Sequence, residues 1–66
     1  MDQREQDRLA MEQAVQENLY DVRVHLETAQ HWDYRARLET MRYAHAALGR
    51  AIDETGAYLN RYTEAS

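Results

Sequence analysis

Residues 20–26 read YDVRVHL, and whether they form a strand or part of a helix decides if the chain is mixed or wholly helical. As a strand, alternation would put Tyr20, Val22, Val24 and Leu26 on one face. As a helix, Val22 and Leu26 extend a row that begins at Met11 and runs through Val15 and Leu19 to Ala29. A lone strand leaves its backbone donors and acceptors unpaired, whereas a helix satisfies them within the segment. The helical reading prevails. It turns Tyr20 and Val24 away from the row as an exposed apolar pair.

The flanking sequence agrees. There is no proline, glycine occurs only at 49 and 56, and Ala, Leu, Glu, Gln, Arg and Met dominate, all good helix formers. Asp2 with Glu5 three residues on has the form of a capping box, which starts the first helix at the beginning of the chain. In the second half, Leu38, Met41, His45, Leu48, Ile52, Thr55, Leu59 and Tyr62 recur at alternating spacings of three and four, the pattern of a heptad seam. Ala44, Gly49, Ala51 and Gly56 lie beside that seam and are small enough to let another backbone approach. Glu39, Arg50, Asp53, Glu54, Asn60, Arg61 and Glu64 fall on the far side.

Between Ala29 and Tyr34 the apolar row advances by five residues, which breaks the three-four rhythm. Asp33 is placed to cap a second helix. The expected fold is therefore all-α, a single antiparallel helical hairpin over residues 1–66. Its first helix spans about residues 2–29, the connection about 29–33 and the second helix about 33–63. Each helix would be roughly 40 to 45 Å long at 1.5 Å per residue. One continuous, slightly kinked helix is the alternative.

A chain of 66 residues buries only about 60% of the surface its unfolded form exposes. With no cysteine it has neither disulfides nor thiolate metal sites, so packing against its own copy or a partner chain is the expected source of added stability. No apolar run approaches membrane-spanning length, and MDQREQDR at the start is mixed in charge rather than basic and then apolar. The expectation is a cytoplasmic protein with no membrane partner. The net charge of −4, with all eight basic residues arginine, works against nonspecific nucleic-acid affinity. The run DQREQDR at residues 2–8 reads as a solvated first turn or two.

Residue chemistry points away from catalysis. Asp21 with His25 and Glu27 with His31 share helix faces at a spacing of four, but the inward positions are Val, Leu, Ile and Met rather than the carboxylates of a metal bundle. His45 sits in the seam and reads as a register-setting polar residue. The only serine is Ser66, and no glycine-rich phosphate loop exists. Neither an enzymatic activity, a small-molecule substrate, a cofactor nor a metal is expected.

The segment ALGRAI at residues 47–52 and the Asp33–Tyr34 pair that opens the second helix resemble the small E-type co-chaperones of the type III secretion needle subunit. The resemblance covers roughly residues 33–62. It implies a hairpin that pairs with a larger, tetratricopeptide-like chaperone to keep the needle subunit from polymerising in the cytoplasm.

The function expected from these readings is that of a protein-binding module acting through helix–helix packing, as a co-chaperone or adaptor, with a partner protein or in a homo-oligomer. Tyr20, Val24, Trp32, Tyr43 and Tyr58 are the candidate interface residues, with Leu48 and Ile52 in the central seam. Two alternatives stand beside it. One is a homodimeric nucleic-acid regulator using Arg35, Arg37 and Arg42; the other is a phage- or plasmid-encoded inhibitor with an acidic face.

Overall fold

In the computed structural model, which describes residues 2–30 and 33–63, the chain is an all-α helical hairpin of two antiparallel helices, α1 (Gln3–Thr28) and α2 (Tyr34–Thr63). YDVRVHL lies wholly within α1, and no described residue is in a strand. At 49 × 21 × 11 Å the molecule has the dimensions of two helices laid side by side in one layer.

Local chemistry sets the ends. Asp2 is extended (ψ 141°), its carboxylate accepts a hydrogen bond from the Arg4 N–H at 3.4 Å, and its carbonyl accepts from the Gln6 N–H at 3.0 Å. The Glu5 carboxylate engages the Arg8 guanidinium, which also reaches Glu12 at 3.0 Å. At the other end of α1 the Ala29 N–H closes a last turn onto the His25 carbonyl at 2.8 Å. Asp33 then opens α2, with its carboxylate accepting from the Arg35 N–H at 3.1 Å and its carbonyl from the Arg37 N–H at 2.9 Å. No described residue has a positive φ.

The seam between the helices is made of alanine. Ala44, Ala47 and Ala51 are the buried hydrophobic residues of the described chain, at 4, 0 and 4% exposure, while Met11, Ala14, Val15 and Val22 of α1 are half-buried. This corrects the placement of Leu48 and Ile52 in the central seam, because they are 41 and 61% exposed. The reason is size. Both rows of α2 repeat at heptad spacing, but a row of alanines lets two helix axes approach more closely than a row of leucines does. Larger residues would hold the helices apart around a gap that only two helices cannot fill. Thr40 and Thr55 are half-buried, their hydroxyls donating to the Ala36 and Ala51 carbonyls at 2.8 and 2.9 Å.

Polar and aromatic contacts between the helices pin the register. The Arg50 Nε–H donates to Asn18 Oδ1 at 2.8 Å, and the His25 and Tyr43 rings stack with centroids 5.6 Å apart. At the open end the Arg61 guanidinium donates to Asp7 Oδ2 at 2.8 Å. No helix among the described residues is long and apolar enough to cross a membrane.

Candidate functional site

The two broad faces of the hairpin differ in chemistry. On one, Val15 and Leu19 of α1 and Leu48, Ala51, Ile52, Thr55, Gly56 and Leu59 of α2 line an open apolar groove with room for about 450 Å³. Toward the connection the same side of α1 continues with Val22 and Leu26, bordered by Arg23, Glu27 and Gln30. On α2 it continues with the exposed side chains of Met41 and Leu38, spaced three and four residues from their neighbours along the row. Leu38, Met41, Leu48, Ile52 and Leu59, which read as seam residues in the sequence, thus lie on the exposed side of α2, and the alanines beside them form the seam.

The groove floor is shaped by small residues. A Cβ added at Gly56 would meet nothing within 4 Å, and the same holds at Gly49, so both glycines border open space. Glycine costs helix stability by roughly 0.5–1 kcal/mol relative to alanine. At Gly56 the missing side chain leaves room over the groove that a second backbone can enter.

The opposite side is polar at its open end. Asp7, Ala10, Met11, Glu54, Ala57, Tyr58 and Arg61 line a cleft there. Within it the Asp7 carboxylate accepts from the Tyr62 hydroxyl, from the Gln3 amide at 2.9 Å and from Arg61 at 2.8 Å. These three hydrogen bonds, the Tyr62 one first, hold the Asp7 carboxyl below the ordinary carboxylate range, and the same bond raises the Tyr62 phenol above its usual value. The Arg4 guanidinium lies over the Tyr62 ring at 5.4 Å, and Tyr58 packs against Tyr62 with centroids 4.9 Å apart. The arrangement is a clasp that ties the first turns of α1 to the last turn of α2.

The residues singled out in the sequence are divided among these surfaces. Leu48 and Ile52 lie in the apolar groove. Tyr58 lines the polar cleft, while Tyr43 is occupied by its stack on His25 and borders a shallow depression with Glu39, Arg42 and Ala46. Tyr20 is 65% exposed beside Gln16, Leu19 and Arg23, and Val24 is exposed. Trp32 lies outside the described residues. Leu19, Leu26 and Leu59 join the groove side, although the sequence places them within seams; the signal for them is that each helix carries more apolar width than a single two-helix contact covers. DQREQDR reads as a solvated turn and does not announce the Asp7 clasp, yet Asp7 stands four residues before Met11 and continues its row.

The described residues bring together no group of three or more side chains suited to holding a metal. Comparison with protein-family models, with curated proteins and with solved structures found nothing that matches this chain.

Proposed function

We propose that this chain is a protein-binding module that acts by helix–helix packing through its apolar face. The observation that carries the reading is the division of α2 into a buried alanine row and an exposed row of Leu38, Met41, Leu48, Ile52 and Leu59, continued across the groove by Leu19 and Leu26 of α1. Covering such surface contributes about 25 cal/mol per Å². A helical segment laid along the groove would cover both rims at once, which is the geometry of a co-chaperone or adaptor holding a helical client. Net charge of −4, and arginines spread along both helices instead of lining this face, favour a protein over nucleic acid as the ligand.

The test compares substitutions on the two sides of the molecule. Ile52→Glu, on the groove, is expected to abolish capture of partner chains in pull-downs with the purified protein while leaving the helical circular dichroism signal intact. Tyr20→Glu, on the outer side of α1, is expected to leave capture unchanged. Equal loss of capture in both variants, or none in either, contradicts the assignment of the face.

A further inference from the structure

The exposed area of the chain is larger than its mass warrants. A compact monomer of this size exposes about 4,400 Å², whereas this chain of 7.8 kDa exposes 5431 Å². The excess of about 1,000 Å² is close to the roughly 800 Å² that each partner contributes to a standard stable interface. The shape agrees. The hairpin is 21 Å wide and 11 Å thick, so two copies stacked face to face have the nearly square section of a four-helix bundle.

The apolar face is also arranged to meet itself. On α1 its aliphatic residues run from Val15 to Leu26 and centre on residues 20–21; on α2 its aliphatic residues run from Leu38 to Leu59 and centre on residues 48–49, with Tyr34, its ring under the Arg37 guanidinium, one turn beyond them. The contacts of Asn18 with Arg50, His25 with Tyr43 and Asp7 with Arg61 set residue 20 of α1 level with residue 48 of α2. Both stripes therefore share one midpoint along the hairpin, and a single two-fold axis across the face at that level maps each stripe onto itself. Such self-matching is what an isologous contact between identical chains requires. A client helix lying along one stripe requires no shared midpoint.

We infer that the occupant of the apolar face is a second copy of this chain, laid face to face and end for end about a two-fold axis crossing the hairpin near Leu48. The inference rests on the reading of this face as a docking surface. Each α2 then runs antiparallel to the α2 of the second copy, with Leu38 toward Leu59 and Leu48 beside its own counterpart. Arg42 and Asp53, on the outer edge of α2 and without an ion-pair partner among the described residues, come within about one helical turn of each other across the contact. A helical client would have to displace the second copy.

The experiment is sedimentation equilibrium of the full chain from micromolar to millimolar concentration, with crosslinking of variants in a chain that has no cysteine of its own. The expected result is a mass of twice 7.8 kDa for the wild type and for Tyr20→Glu, and a single 7.8 kDa species with unchanged helicity for Ile52→Glu. On oxidation, Leu48→Cys is expected to give a disulfide-linked dimer and Leu38→Cys alone none. A wild-type mass of 7.8 kDa throughout, a dimer that survives Ile52→Glu, or crosslinking of Leu38→Cys in place of Leu48→Cys overturns the inference. A monomeric wild type that still captures a client, with capture lost in Ile52→Glu, rejects the second copy while keeping the docking face. A monomer whose capture is indifferent to Ile52→Glu rejects both.

Discussion

Two rows of α2, roughly a quarter turn apart, follow opposite rules. The row of Ala44, Ala47 and Ala51 holds small residues and is buried, while the row of Leu38, Met41, Leu48, Ile52 and Leu59 holds large ones and is exposed. Hydrophobicity alone would order them the other way, since a leucine gains more from burial than an alanine. Two helices offer each other one line of contact, and that line is stabilised by close approach of the axes. Large residues beside it cover each other across the groove only in part and need a further layer to be buried. The alanine row closes the hairpin; the leucine row stays exposed beside it.

The sharpest way to break this comparison is to exchange the character of the rows. Ala47→Leu, at the fully buried centre of the seam, forces the axes apart and is expected to destabilise the hairpin by about 1–3 kcal/mol. For a domain of this size each 1 kcal/mol lowers the melting temperature by about 4–8 °C. Thermal unfolding followed by circular dichroism measures it. A leucine tolerated at position 47 with no loss would mean that the seam is not closely packed, and the distinction between the rows would fall.

How much of this could be read from the chain follows the same line. The helical reading of YDVRVHL, the hairpin and the capping role of Asp33 come from periodicity and cap chemistry, which act within a few residues and are written locally. The choice of inner row on α2 is not local. Three-four spacing is satisfied equally by the leucine row and by Ala44, Ala47 and Ala51, and only the number of helices available to pack decides between them. The Asp7–Tyr62–Arg61 clasp was invisible for a related reason, because its members are separated by almost the whole chain and meet only once the register is set.

Glycine gives a smaller effect that sharpens the same comparison. Gly49→Ala places a methyl group in open space and removes the conformational cost of glycine in a helix, so it is expected to stabilise the hairpin by roughly 0.5–1 kcal/mol. Gly56→Ala should bring the same gain to the isolated chain, but its methyl group narrows the apolar groove. Denaturant titration at low concentration reads the common gain, and partner capture or self-association reads the difference. If Gly56→Ala strengthens association as well as stability, no second backbone approaches there.

The smallest expected effect is on the clasp at the open end, where the groups are near water and screened. Hydrogen bonds from Tyr62, Gln3 and Arg61 lower the Asp7 pKa, so folding favours the ionised carboxylate. Its contribution is complete above the ordinary value of 3.8 and is lost as pH falls through the lower folded value. The Tyr62 phenol shifts the other way. Folding favours its protonated form, whose contribution is complete below 10.0 and is lost as pH rises through the raised folded value. Asp7→Asn is expected to flatten the acid limb of the stability profile and to bring one of the five tyrosines back toward 10.0 in a spectrophotometric titration of the phenolates. Tyr62→Phe removes the same titration step and leaves the other four, which identifies the tyrosine concerned. If Asp7→Asn moves no phenol, the carboxylate is not bonded to Tyr62 in solution, and the open end is held by the alanine seam alone.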